Sequence, residues 1–248
     1  MLSVTALSGL PEIRAGDDLA AIVAAALPVQ LSAGDALVIA HKVVSKAEGR
    51  TRALGDVAPS ARAIELAHAH DKDPRQVQVI LDESRALLRA ERGVLICVTH
   101  HGFVCANAGV DASNAAARDT VVLLPEDPDA SARELRTRIR QLTGIAPAVV
   151  ISDSFGRAWR NGQCDLAVGC AGLEPLEDWR GRTDADGREL RATWIAVADE
   201  LAAAADLART KDGRQPVVLV RGLRRMVTEP DGPGAVALIR PAAEDLFR

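Results

Sequence analysis

Tyrosine is absent from this chain, and Phe and Trp occur only three times each. Stacking platforms for single-stranded nucleic acid therefore have almost no material, and the core must be aliphatic. Lysine is nearly as scarce: Lys42, Lys46, Lys72 and Lys211 are the only four among 30 basic residues. The four cysteines, Cys97, Cys105, Cys164 and Cys170, lack the short paired spacing of structural zinc sites and read as buried free thiols. No apolar run approaches the roughly 20 residues that cross a bilayer. The first charged residue is Glu12, so a basic leader is missing too and a cytoplasmic location is expected. A formal net charge of -4, from 30 basic and 34 acidic residues, gives no general attraction to nucleic acid or anionic membrane. Any anionic ligand has to be held locally. Neither a Gly-x-x-x-x-Gly-Lys-Ser/Thr loop nor a Gly-x-Gly-x-x-Gly turn occurs, so neither a P-loop nor a Rossmann nucleotide fold is licensed by motif.

What is present is a globular composition: 248 residues, 48% hydrophobic and 26% charged, enough for one large core or two small ones. Residues 2–7 and 36–40 read as strands around an Ala-rich helix that starts near Asp17, a candidate N-cap, and stops at Pro28. Helices are expected over 58–70 and 74–82, strands over 94–99 and 103–108 with His100-His101-Gly102 turning between them, and, after Pro128, a helix of about 13 residues that ends at Gly144. Strands at 148–152, 165–171, 217–220 and 236–239 and a helix over 193–209 complete a mixed α/β chain, too irregular for a barrel.

Chemistry concentrates in three stretches. Asp111 follows an apolar strand in a loop of small residues, and Asp153 ends another strand in Ser152-Asp153-Ser154. Carboxylates at the carboxyl ends of α/β strands suit a hard cation such as Mg2+ or Mn2+; alone, each equally suits a turn cap. Between Ser154 and Asp165, the residues Arg157, Arg160, Asn161 and Gln163 form either a solvated loop of internal ion pairs or a grip for carboxylate or phosphate oxygens. After the strand at 36–40, His41-Lys42-Val-Val-Ser45-Lys46 offers an ammonium that could neutralise phosphate, although a lone Lys46 also reads as an ordinary exposed lysine. Adjacent His100 and His101 point in different directions and read as structural or as supports behind a site.

These stretches together resemble the coenzyme F-420-0:L-glutamate ligases, GTP-dependent γ-glutamyl ligases of deazaflavin biosynthesis. The resemblance runs along nearly the whole chain through Gly9-Leu-Pro11, Val44-Ser-Lys46-Ala-Glu-Gly49, His101-Gly-Phe-Val-Cys-Ala-Asn-Ala-Gly-Val-Asp111, Ile151-Ser-Asp-Ser-Phe-Gly156, Trp159-Arg-Asn-Gly-Gln163, Gly187-Arg-Glu-Leu190, Ala198-Asp-Glu-Leu201 and Val220-Arg-Gly222. It implies that GTP phosphorylates a carboxylate of F-420-0 and that the amine of L-glutamate displaces the phosphate, with further glutamates added in some members. It further implies two divalent ions, Mg2+ or Mn2+, with potassium as an additional candidate, and a two-lobed α/β fold in one domain over 1–248 that pairs as a homodimer. A C-terminal nitroreductase-like domain, present in some relatives, is not expected here.

Position by position, the resemblance makes Asp111 and Asp153 ligands of a first ion, and places Ser154, where relatives often have Thr, near a second. It makes Leu10, Pro11, Glu12, Ile13, His41, Lys46 and Asn114 nucleotide contacts; relatives often carry a small hydroxyl residue in place of His41. Arg209-Thr210-Lys211-Asp212-Gly213 aligns with a nucleotide and metal loop that usually begins Met-Gly and supplies Gln or Glu. A protonated Lys211 cannot ligate a metal, so that loop departs from the pattern. Arg157, Arg160 and Gln163 are assigned to substrate or phosphate. A related amide ligase with another substrate, or a nucleotide-binding regulator without turnover, are the alternative functions.

Overall fold

The computed structural model describes residues 1–112, 119–210 and 212–245. In chain order its elements are β1 (Ser3–Ala6), α1 (Leu19–Ala25), β2 (Ala36–Ala40), α2 (His41–Ala47), β3 (Thr51–Ala53), α3 (Ala61–His70), α4 (Pro74–Asp82), β4 (Ser84–Glu91), β5 (Val94–Thr99) and β6 (Val104–Ala106). They continue with β7 (Thr120–Val122), α5 (Pro128–Thr143), β8 (Ala148–Arg157), β9 (Arg160–Ala171), β10 (Glu177–Asp178), β11 (Trp194–Ile195), α6 (Val197–Ala208) and β12 (Val217–Arg221).

A five-stranded sheet in the order β1-β12-β2-β8-β9 organises the molecule. β12 is antiparallel to both β1 and β2, whereas β2 and β8 are parallel, Ala40 lying opposite Ser152. The carboxyl ends of β1, β2 and β8 therefore share one edge of the sheet, together with the start of β12. Strand residues alternate between faces. Leu37, Ile39, Val149, Ile151, Val217 and Leu219 pack with Leu19, Val23 and Ile139 of α1 and α5, while Val38, Val150, Val218 and Val220 pack with Ala198, Leu201 and Ala205 of α6. Covering both faces is why β2 and β12 read as unbroken apolar runs rather than alternating ones. Each large aliphatic buried here contributes about 1.5–3 kcal/mol.

A third apolar cluster lies within residues 54–123, where α3 and α4 pack with the three-stranded sheet β4-β5-β6. β4 is absent from the sequence reading, because its Ala, Leu and Arg residues favour helix over strand. A two-residue turn decides it: Arg92 and Gly93 both adopt left-handed φ, +51° and +77°, which fold β4 back onto β5.

Among the described residues the chain is mixed α/β without a closed barrel, as the sequence indicated. Several local expectations are corrected. The first helix is capped by Asp18, whose carboxylate accepts from the Ala21 amide, while Asp17 accepts from Arg14. The segment 236–239 is a single 3-10 turn rather than a strand, and residues 103–108 hold only the short β6 before another such turn. The stretch from Ser154 to Asp165 is no loop: β8 and β9 pair through it, leaving only Ala158 and Trp159 as the turn. Pairing satisfies backbone groups that a loop would leave to water.

β9 is the outer strand of its sheet, and its unpaired amides are a liability. Two acidic side chains accept from them: Asp129 from Cys170 and Asp199 from Ala167. Burial raises the Asp199 carboxyl above its usual range. Asp129 also accepts from the Ala235 amide, tying the C-terminal segment to the start of α5.

Candidate functional site

The sheet edge formed by the carboxyl ends of β1, β2 and β8 gathers residues far apart in sequence. The Leu7 amide donates to Val217 and the Ala40 amide to Pro216, so the strand of residues leading into β12 is threaded between the ends of β1 and β2. Gln215 Nε2 donates to Ser8 Oγ at 2.9 Å, and Lys46 Nζ reaches Glu12 Oε1 at 2.5 Å. The 8–13 turn, α2 and the 209–215 loop thereby converge. Within the turn Ile13 is buried, Leu10 packs partly against the core, and Pro11 and Glu12 are exposed. Lys46 is not an ordinary surface lysine; its side chain is 11% exposed.

The two aspartates meet the same helix. β2 runs directly into α2, so His41 and Lys42 stand at its first turn. Lys42 Nζ lies 2.5 Å from Asp111 Oδ2, and His41 Nε2 lies 3.4 Å from Asp153 Oδ1. Asp111 is held in place by mutual backbone hydrogen bonds with Val122, 3.0 and 2.8 Å long. The chain reaches it through Asn107, Ala108 and Gly109, all with left-handed φ. For Ala108 that conformation costs about 1–2 kcal/mol. At Gly109 an added Cβ would stand 2.8 Å from Leu124 Cδ1, so both the backbone and the space demand glycine.

Asp153 is extended from the parallel β2–β8 pair and stands opposite Leu166. Its charge is close enough to Cys105 on β6 to assist burial in pushing that thiol up to about 12. Asp153, Cys105, Phe155 and Phe103 thus lie together, the two rings meeting edge-on at 6.4 Å. Phe103 stacks on His101 at 5.6 Å, and both line a cleft of about 450 Å³ that also takes in Arg85, Arg133 and Val168. His100 and His101 are engaged through Nε2 with the carbonyls of Asp82 and Pro125, the structural role expected of them.

Sequence reasoning passed over Asp165. It is buried in β9 opposite Ser154 and accepts from Ser154 Oγ at 2.6 Å and Ser152 Oγ at 2.9 Å. The Arg209 guanidinium pairs with it, and its Nη2 also donates to Ser152 Oγ at 3.0 Å. Arg209 is consequently committed inward, at the root of the 209–213 loop, with Asp206 3.8 Å from its Nε. Beyond it, hydrogen bonding by Thr210 holds the Asp212 carboxyl below its usual range, and a Cβ on Gly213 would meet Thr210 Oγ1 at 2.6 Å. The available signal for Asp165 was its position among the polar residues after Asp153; the signal for Lys42 was a rare lysine at a strand end.

Arg157, Arg160 and Gln163 do not join this cluster. All three are exposed near the tip of the β8–β9 hairpin, where Arg157 donates to the Asn161 carbonyl at 2.5 Å and Trp159 is 80% exposed. Asn114 and Lys211 lie outside the described residues.

A protein-family model described as F420-0:Gamma-glutamyl ligase matches residues 9–222 of this chain. The chain belongs to the F420-0:gamma-glutamyl ligase family. Among curated relatives, the coenzyme F420:L-glutamate ligase of Methanopyrus kandleri is 46% identical over 96% of this chain and 94% of its own length. The proteins of that name from Methanothermobacter thermautotrophicus and Methanocaldococcus jannaschii are 42% and 44% identical; they align with 100% and 87% of this chain, and with 99% and 85% of their own lengths. The residues matched by the family model take in the 9–13 turn, α2, Asp111, Asp153 and the 209–213 loop; of the sheet edge described above, only the end of β1 with Leu7 and Ser8 lies before the matched range.

Proposed function

We propose that this member of the family is a GTP-dependent ligase that joins L-glutamate to coenzyme F-420-0. In the first step a carboxylate oxygen of F-420-0 attacks the γ-phosphorus of GTP and GDP leaves. In the second, the neutral glutamate amine attacks the acyl carbon, phosphate departs with the bonding pair, and the nitrogen loses one proton to solvent and keeps the other as the amide N–H. The observation that carries this reading is the convergence of the 8–13 turn, Lys46, the 209–215 loop and the tethered pair Asp111 and Asp153 on one sheet edge. Phosphoryl transfer is mostly positioning and charge stabilisation, and it needs such a gathering of fixed charges.

Among the described residues no three acidic, histidine or cysteine side chains gather tightly enough to hold a metal alone. Two carboxylates suit Mg2+ or Mn2+, ions whose remaining positions are filled by water and phosphate oxygens. The chemistry of these donors suits such ions, and by the family resemblance Asp111 and Asp153 would hold one divalent ion, with Ser154 beside a second. Such ions, when bound, spread the charge of the phosphates. Lys46, largely enclosed and directed at Glu12, would exchange that partner for a phosphate, and the cleft beside Phe103 would give the acceptor room. Arg157, Arg160 and Gln163 would meet substrate from the projecting hairpin. Potassium and homodimer formation remain part of this proposal through the family resemblance.

Incubating the purified protein with F-420-0, L-glutamate, GTP and Mn2+ and reading masses tests it. A product heavier by one or more glutamyl residues, with GDP released in step, is expected. Nucleotide hydrolysis without a heavier product, or binding without turnover, would overturn it.

A further inference from the structure

We infer that His41 is a nitrogen ligand to the cation held by Asp153, and that it biases this site toward Mn2+ over Mg2+. The inference rests on the metal-dependent reading given above. His41 is 1% exposed, and its Nε2 is fully buried without a hydrogen-bond partner among the described residues. Buried polar atoms are seldom left so. The atom faces Asp153 Oδ1 at 3.4 Å without the alignment of a hydrogen bond.

The other ring nitrogen explains why. Nδ1 lies 3.4 Å from Ser45 Oγ, one turn along the same helix. With its proton on Nδ1 and directed at that hydroxyl, the ring presents the Nε2 lone pair to a carboxylate oxygen, and two electron-rich atoms then face each other in a dry space. A cation between them resolves the conflict. Histidine ligands commonly fix their tautomer through just such a contact at the other nitrogen. The separation also fits: two donors about 2.1 Å from one ion stand about 3.0 Å apart at a right angle and about 3.4 Å apart at a tetrahedral one. Imidazole suits transition ions, whereas Mg2+ prefers an all-oxygen shell, so a ring in this place discriminates between them.

The test uses the full chain with Mn2+ alone and with Mn2+ plus GDP. Pulsed paramagnetic resonance on the bound ion should show a directly coupled 14N nucleus, which becomes 15N when the protein is grown on [15N]histidine and disappears in His41→Ser. Competition should show Mg2+ displacing Mn2+ poorly from the parent and more readily from His41→Ser. The labelled parent needs no variant, so a folding failure of His41→Ser cannot blur the result. Bound Mn2+ without histidine nitrogen coupling would overturn the role of His41 while leaving the two-aspartate reading intact. No Mn2+ bound under either condition would overturn both.

Discussion

The pair Asp165–Arg209 gives a quantitative test of how the site is held. Asp165 is 1% exposed and the Arg209 side chain 9%, and the carboxylate also collects the hydroxyls of Ser152 and Ser154. Replacing Asp165 by Leu strands a guanidinium in a dry environment. Breaking a buried pair from one side costs about 3–5 kcal/mol, and with a urea slope of about 2–3 kcal/mol per molar the unfolding midpoint should fall by about 1–2 M. Arg209→Met should cost a similar amount, since it leaves the carboxylate without its cation. The double variant Asp165→Leu with Arg209→Met should be far less damaged than the sum, because apolar groups of like size can replace such a pair almost neutrally. Urea melts of the four proteins, followed by circular dichroism, close the cycle. Single costs below about 1 kcal/mol, the range of exposed pairs, or strict additivity in the double variant, would refute the claim that this pair is dry and coupled.

Three further outcomes are expected. Asp153→Asn, nearly isosteric, should leave the circular dichroism spectrum unchanged and abolish glutamate addition; near-normal turnover at saturating Mn2+ would remove Asp153 from the cation site. Burial raises the Cys97, Cys105 and Cys170 thiols, Cys105 to about 12, so in the folded protein at pH 8 a thiol reagent should label half-buried Cys164 first, with all four reacting in denaturant; equal native rates would contradict the packing. Partial shielding from water also raises the Glu48 carboxyl, with the nearby Glu134 charge adding to it and a hydrogen bond from Ser131 partly offsetting it. Its folded value therefore exceeds the unfolded one of about 4.3, and the stabilisation present below that value is lost as pH rises through the folded value. Glu48→Gln, unable to ionise, should be more stable than the parent at neutral pH, with the advantage vanishing toward pH 4 in thermal melts.

How far the sequence reaches differs from segment to segment. β2 and α4 were legible to the residue, since an unbroken aliphatic run and an Asp-Pro start are local signals. The helix stop at Gly144 was legible for the same reason: its φ of +78° is one that glycine adopts freely. The Asp17 cap failed by one position, a choice between neighbouring carboxylates that only the helix's placement on the sheet settles. The Ser154–Asp165 stretch failed more seriously, because its polar residues project beyond the core and are strands only by virtue of pairing with each other.

The chain alone determined the α/β class, the aliphatic core, the absence of standard nucleotide loops and the ligase family, because each is written in local pattern or in residues that keep their order and spacing. Which residues meet was decided by the fold. His41 and Asp153 are brought side by side because β2 and β8 run parallel with Ala40 opposite Ser152, and Asp111 meets the same helix through Lys42, the residue after His41. Asp165 and Arg209 became partners only because a hairpin and a helix end enclose the same dry space. Proximity and desolvation belong to the packed chain, and no reading of neighbours in sequence supplies them.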